Sequence, residues 1–106
     1  MSWNLYLDDE RTPKTQREWV IARSFASAVA LIKDKGCPDL ISFDHDLGEN
    51  VPTGFDLAKW LIEQDLENKN FMPPLFAFQV HSANPVGRDN IISILDGYIK
   101  FKEKHG

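Results

Sequence analysis

Short apolar runs alternate along the chain with segments whose apolar residues recur at helical spacing. Residues 5–7 and 40–43 are largely apolar and precede acidic residues, which is typical of buried strands whose carboxyl ends meet water. Residues 19–23 and 75–80 contain β-branched and aromatic side chains and also favour strands. The pattern therefore predicts four strands.

Three segments have helical spacing, and each follows a residue that can cap a helix. The capping residues are Ser24, Thr53 and Asn84. Asp56 lies three residues after Thr53, as in a capping box. We expect the first helix to stop at Gly36, the second to fray near residues 68–70 and the third to run to about residue 103.

The order of these elements predicts an α/β fold. The sheet should be small, doubly wound, mostly parallel and four-stranded, with both faces covered. Parallel neighbours usually need a crossover of about a dozen residues or more, and residues 11–18 offer fewer. Either a short irregular crossover replaces the first helix, or the second strand is not parallel to the first.

Composition limits the classes of function. The chain has 106 residues, 42% of them hydrophobic and 26% charged, which predicts one globular domain over residues 1–106. The net charge of −4 argues against generic binding to duplex nucleic acid or to a membrane surface. Cys37 is the single cysteine, and the acidic N-terminal residues are unlike a signal peptide, so we expect a cytoplasmic protein. The sequence does not determine its oligomeric state.

Polar clusters follow three of the four strands. Residues 8–10 are Asp-Asp-Glu, residues 44–46 are Asp-His-Asp and residues 81–84 are His-Ser-Ala-Asn. Parallel strands would bring all three clusters to one sheet edge, where ligands bind in such folds. The carboxylates would repel one another unless a cation neutralises them, and a hard divalent ion such as Mg²⁺ suits oxygen ligands. Alternatively, Asp8 and Asp9 are solvated strand-end acids or caps for the following turn.

Two histidines belong to these clusters. His45 lies between two acids, and His81 ends an apolar strand. Facing one phosphate, they could supply the acid and base for phosphoryl transfer or for opening a cyclic phosphate. The alternatives are a loop histidine without function and a hydrogen-bonded histidine at the edge of the core.

Phosphate ligands are expected beside the last helix. Ser82, Asn84 and Arg88, together with the free N–H groups of the helix, could bind phosphate oxygens, although Asn84 could serve only as an N-cap. Arg11 is a second candidate substrate ligand, or else a salt-bridge partner of Glu10.

Four segments carry a family resemblance. They are Leu5-Tyr6-Leu7-Asp8-Asp9-Glu10, residues 38–44, Gly54-Phe55-Asp56-Leu57 and Ser82-Ala83. In that order, they resemble four features of response-regulator receiver domains. These are the first strand with its acidic pair, the third strand that ends in the phosphoacceptor aspartate, the start of the helix that follows, and the Ser/Thr-Ala after the fourth strand. The resemblance implies a flavodoxin-like fold. Here the first helix is reduced, and no fifth strand with the receiver lysine is visible.

Those departures match a narrower family. Its motifs are similar to Leu7-Asp8-Asp9-Glu10-Arg11-Thr12-Pro13, Phe43-Asp44-His45-Asp46-Leu47-Gly48 and residues 80–88. Over nearly the whole chain the sequence resembles the cyclic-phosphate-processing receiver family. The resemblance implies phosphoesterase action on the cyclic phosphate of a nucleotide or an RNA end.

The resemblance also implies roles for single residues. The metal ligands would be Asp8, Asp9 and Asp44, with Asp46 as an extra ligand; the catalytic residues would be Asp44, His45 and His81; and the phosphate would be held by Ser82, Asn84 and Arg88. Two histidines and an arginine could also open a cyclic phosphate without a metal. The alternative function is a non-catalytic module that binds a nucleotide or protein partner, or that is phosphorylated on Asp44.

Overall fold

The computed structural model describes residues 2–14 and 17–105. Its elements are β1 (Asn4–Leu7), β2 (Val20–Ala22), α1 (Phe25–Lys35), β3 (Leu40–Phe43), α2 (Gly54–Glu67), β4 (Ala77–Val80) and α3 (Pro85–His105). The predicted α/β order of strands and helices is therefore confirmed. None of the helices in the described ranges is long and apolar enough to span a membrane.

The four strands form one parallel sheet in the order β2-β1-β3-β4. Leu7 pairs with Ala22 on one side and with Phe43 on the other, so β2 is parallel to β1. The short irregular crossover is thus the correct alternative. Between β1 and β2, the described residues contain no helix.

The chain reverses direction across the sheet at β1. It steps one way to β2, then crosses back to β3 and β4. Parallel crossovers are right-handed, so connections made in the same direction lie on the same face. The two crossover helices, α1 and α2, therefore lie on the same face of the sheet, and α3, which follows the last strand, packs against α2 and joins their core. That core contains Leu5, Leu7, Ile41 and Phe43 from the strands and Ala28, Ile32, Leu57, Leu61, Ile91 and Leu95 from the helices.

The opposite face of the sheet is lined by Tyr6, Ser42 and Gln79, which are aligned across β1, β3 and β4. The irregular crossover covers part of this face, where Trp19 packs edge-on to Tyr6 at 5.6 Å between ring centroids. Gln79 stays exposed because none of the described helices covers β4 on this face. We call this surface the open face.

Local signals define most of the element ends. Ser24 and Thr53 both form capping boxes, the first with Ser27 and the second with Asp56. β4 begins later than predicted because the chain first makes a turn, in which the Phe76 N–H donates to the Pro73 carbonyl at 3.0 Å. These caps and turns determine where the helices and strands begin and end, and therefore where the polar residues after each strand lie.

Candidate functional site at the carboxyl edge of the sheet

Asp8, Asp44 and His81 follow directly after β1, β3 and β4, and the strand register makes them neighbours. The ladder continues one residue beyond the strands: the Asp44 N–H donates to Leu7, and the His81 N–H donates to Phe43, both at 2.9 Å. The sheet therefore assembles the three polar clusters at one edge, as the parallel pattern predicted.

Asp8 is fully buried, and its carboxylate accepts three hydrogen bonds and forms an ion pair with Arg11. Its Oδ1 accepts from the backbone N–H groups of Glu10 at 3.0 Å and Arg11 at 2.9 Å. Its Oδ2 lies 3.0 Å from Nε of Arg11 and 3.0 Å from Nε2 of His81. Burial by itself raises the pKa of Asp8, but these donors outweigh it and lower the pKa below its ordinary value.

Asp44 has the opposite shift. Burial raises its pKa, and the negative charge of Asp8 raises it further, while the hydrogen bond from the His45 N–H to Oδ1 at 2.9 Å lowers it. The two carboxylates are thus pushed apart in pKa, which is a common feature of functional sites.

Arg11 supplies a positive charge between these carboxylates. Its Nε is 3.0 Å from Oδ2 of Asp8, and its Nη2 is 3.7 Å from Oδ2 of Asp44. The turn that carries it is held by Arg23, whose Nη1 donates to the carbonyls of Asp8 at 3.2 Å and Arg11 at 2.6 Å. Arg11 therefore pairs with the buried acids, and its side chain is still half exposed.

His81 is fixed through both ring nitrogens. Nδ1 lies 2.7 Å from Oγ of Ser42, and Nε2 lies 3.0 Å from Oδ2 of Asp8. An ionised Asp8 can only accept, so Nε2 carries the hydrogen. The ring stacks on Tyr6 with centroids 4.4 Å apart and planes 5° from parallel. His81 therefore belongs to the open face.

His45 lies on the side of the helices. Its Nδ1 is 2.8 Å from Oδ1 of Asp46, and its ring packs against the first turn of α3 at Gly87. The bond to His45 is the main cause that lowers the pKa of Asp46, and Asn84 adds a second bond at 3.2 Å. An ionised Asp46 accepts the Nδ1 hydrogen, which leaves the Nε2 lone pair of His45 available.

Two glycines make this arrangement possible. A Cβ on Gly54 would lie 1.9 Å from the Asp44 carbonyl oxygen, and a Cβ on Gly87 would lie 2.3 Å from Cγ of His45. Real atoms cannot approach so closely, so only glycine allows α2 and α3 to reach the loop after β3. The His45 loop is therefore clamped between two helix N-termini.

One cluster in the described part of the chain has the composition of a metal site. One ligand atom each from Asp8, Asp44 and His81 lies within 4.8 Å of the other two. Since Asp8 already has four donors, a metal ion would have to replace one of them, and half-exposed Arg11 can leave most readily. With Arg11 displaced, the two carboxylates fit a hard divalent cation.

The other proposed metal ligands are less enclosed. Asp9 and Asp46 are both exposed and line a cavity of about 450 Å³ above the acidic edge. Asp46 is held by His45 and Asn84 rather than by the cluster.

Most of the expected phosphate ligands share that cavity. Arg11, Ser82 and Asn84 line it together with Asp44. Asn84 also caps α3 by accepting from the Gly87 N–H at 3.0 Å, and its own N–H donates to Oγ of Ser82 at 3.1 Å. Arg88 is exposed on α3 and is not among the residues that line the cavity.

Sequence reasoning missed the support for His81. Tyr6 stacks on it, Ser42 bonds it, and Nε2 of Gln79 donates to Oγ of Ser42 at 3.1 Å. One signal was available, because Ser42 is a polar residue inside an otherwise apolar strand. Its full burial implies a hydrogen-bonding partner.

Comparison with solved structures agrees with this fold. One solved structure, a fusion that contains a trimeric coiled-coil segment of yeast Spc42, matches 98% of this chain and 83% of that chain with 18% identity and a TM-score of 0.51. At that identity the likeness concerns the fold alone. No curated protein matches the sequence.

Fold and edge residues together define an α/β domain of the receiver class. The model of the cyclic-phosphate processing receiver domain matches residues 3–97. The chain belongs to that family.

Proposed function

We propose that this domain is a phosphoesterase that opens a cyclic phosphate on a nucleotide or an RNA end. The observation that carries the proposal is the acidic edge itself, where Asp8, Asp44 and Arg11 lie between two histidines. Membership of a family tied to cyclic-phosphate processing supports the same substrate class.

The phosphate would enter the cavity above Asp44. Arg11 offers guanidinium donors there, Ser82 a hydroxyl and Asn84 an amide. We propose that Arg11 exchanges part of its ion pairing with Asp8 for the incoming phosphate, because its side chain reaches both the buried acid and the solvent. Exposed Arg88 would act only on parts of a substrate that extend along α3.

The two histidines support an in-line displacement. His81 lies on the open face and His45 on the helical face of the same edge. In-line attack at phosphorus needs the entering and leaving oxygens on opposite sides, so one histidine can serve each oxygen.

In the proposed reaction, a water molecule attacks phosphorus, one phosphorus–oxygen bond of the ring breaks and a phosphomonoester forms. Nε2 of His45 takes a proton from the water, because Asp46 holds the Nδ1 hydrogen. His81 acts in its imidazolium form, in which Nδ1 donates to Oγ of Ser42, and it gives the proton on Nε2 to the departing ribose oxygen. This transfer leaves a neutral ring and releases its bond to Asp8. Exchange with solvent restores both rings.

A divalent cation, which we propose to be Mg²⁺, would be held by Asp8 and Asp44 with Arg11 turned outward. When bound, it would neutralise charge on the phosphate oxygens. The site also contains a cation of its own, since Arg11 already faces both acids.

The test is a product assay on the purified protein. Cyclic 2′,3′- and 3′,5′-nucleotides, cyclic dinucleotides and an RNA with a cyclic-phosphate end are each incubated with Mg²⁺, Mn²⁺ or EDTA. Mass spectrometry should show a gain of one water in at least one substrate. A folded protein that opens none of them under any condition would contradict the proposal.

A second function is favoured by one feature of Asp44. It follows β3 at the position where receivers carry the phosphoacceptor, and Nη2 of Arg11 lies 3.7 Å from its Oδ2. Phosphorylation of Asp44 would then make the domain a signalling module. A small phosphodonor with Mg²⁺ should add the mass of one phosphoryl group to the wild type but not to Asp44→Asn, and an unchanged wild-type mass would exclude this function.

A further inference from the structure

A second cavity lies on the open face of the sheet. Its volume is about 560 Å³, within the range of small-molecule sites. Tyr6, Ser42 and Gln79 form its floor, and the crossover forms one wall with Pro13 and Trp19. The cavity lies on the face where the described residues between β1 and β2 form no helix.

This open-face cavity adjoins the phosphate cavity. Glu10 and Arg11 line both of them. His81 forms part of the open-face wall, while its Nε2 reaches the buried acid of the phosphate site. A ligand whose phosphate meets Arg11 can therefore place a bulky group against Tyr6 and Gln79.

The walls combine flat apolar surfaces with a specific polar group. Tyr6, Trp19 and Pro13 offer apolar contact. Exposed Gln79 donates one N–H to Ser42. Among the described residues, its carboxamide oxygen has no hydrogen-bond partner. An amide presents one donor and one acceptor side by side, and this pattern matches the edge of a nucleobase.

We propose that the open-face cavity binds the nucleoside part of the substrate, with the base against Gln79. The inference rests on the proposed function for its phosphate, and it adds the place where the nucleoside of that substrate would bind. The ribose oxygen that leaves phosphorus would then lie on the side of His81, the residue assigned to protonate it.

The test compares the binding of five probes by calorimetry and by amide chemical-shift mapping. They are inorganic phosphate, ribose 5-phosphate, adenosine, adenosine 5′-monophosphate and adenosine 2′,3′-cyclic phosphate. We expect the two nucleotides to bind at least tenfold more tightly than ribose 5-phosphate. The side-chain amide of Gln79 should shift with the nucleotides and with adenosine, but not with phosphate.

Two glutamine variants test whether the tighter binding of nucleotides depends on Gln79. Gln79→Ala should weaken nucleotide binding about tenfold and leave the affinity for ribose 5-phosphate unchanged. Gln64→Ala, which removes a glutamine on α2 outside the cavity, should change neither affinity.

The outcomes separate this inference from the function on which it rests. Equal affinities for nucleotides and ribose 5-phosphate would overturn the nucleoside site while leaving the phosphate site intact. If adenosine binds and shifts the Gln79 signal while phosphate does not bind, nucleoside binding in the open-face cavity would be supported and the proposed phosphoesterase activity would be contradicted. Nucleotide affinity that is unchanged in Gln79→Ala would also overturn the placement of the base.

Discussion

Arg11 lies where two acidic strand ends would otherwise repel each other. The same guanidinium contacts the buried carboxylate of Asp8 and faces Asp44, so it stabilises the acidic edge in the absence of any other cation. A divalent ion held by Asp8 and Asp44 would compete with Arg11 for the same oxygens. In the proposed function, Arg11 would therefore link metal binding to phosphate binding.

Replacing Arg11 should separate these two effects. In Arg11→Gln the carboxylates lose their positive neighbour, so Mn²⁺ should bind about tenfold more tightly, equal to about 1.4 kcal/mol. Phosphate should bind more weakly in the same variant. Titration with Mn²⁺ and phosphate, with exposed Arg17→Gln as the control, checks both. Unchanged Mn²⁺ affinity would show that Arg11 does not compete with the metal.

Gly87 is a position where one methyl group should disturb the site. A Cβ there would lie 2.3 Å from the His45 ring, whereas a Cβ on Gly97 in the same helix meets nothing within 4 Å. Gly87→Ala should displace His45 and lower turnover at least tenfold. Gly97→Ala should keep full turnover and gain about 0.5–1 kcal/mol of stability from helix propensity. Parallel activity assays and thermal melts compare the pair, and full turnover in Gly87→Ala would refute the role of the clamp.

The helices are joined at the far side of the core by a buried acid on α2. Asp65 accepts from the Met72 N–H at 2.9 Å and from the Tyr98 hydroxyl at 2.6 Å, and Lys102 of α3 lies 2.7 Å away. Burial raises the pKa of Asp65, but these three donors outweigh it and lower the pKa below 3.8. The ionised form is therefore the one that stabilises the fold.

The lowered pKa of Asp65 predicts how the free energy of unfolding depends on pH. A lowered folded-state pKa gives stability that is complete above the ordinary value of 3.8 and is lost as the pH falls through the folded value. At pH 7, Asp65→Asn should lower the free energy of unfolding by about 1.5–3 kcal/mol. Urea unfolding should show this difference shrinking below about pH 4.

The control for that prediction is Asp96→Asn, on the exposed face of α3. Asp96 pairs with Lys100 at 3.0 Å, a surface i,i+4 contact that contributes about 0.5 kcal/mol or less. A loss in Asp65→Asn no larger than in Asp96→Asn would show that the buried pairings do not stabilise the helix contact.

The elements that the sequence predicted best have local causes. Capping at Ser24 and Thr53 depends on neighbours three residues away, so the pattern alone located those helix starts. The start of β4 was misplaced because the turn before it competes with strand pairing at Leu75 and Phe76. Ser42, a polar residue in an apolar strand, indicated a buried partner, but the identity of its partners His81 and Gln79 could not be predicted, since it depends on the strand register and on which face of the sheet stays open.

At the scale of the whole molecule, the reversal of chain direction at β1 organises the site. It places three helices on one face and an irregular crossover on the other, so His45 and His81 approach one edge from opposite sides. The convergence of the polar clusters follows from parallel strands and was predictable. Separate surroundings for the two histidines are a tertiary property that sequence spacing does not contain.

In the proposed function these two histidines open a cyclic phosphate, and a comparison of histidine variants tests this most directly. Turnover of the substrate found in the product assay is measured for wild type, His45→Ala, His81→Ala and His105→Ala, with circular dichroism to verify folding. His105 is exposed at the end of α3 and serves as the matched control. We expect His105→Ala to match wild type and the other two variants to lose at least a hundredfold in rate. Normal turnover by folded His45→Ala and His81→Ala would contradict the account.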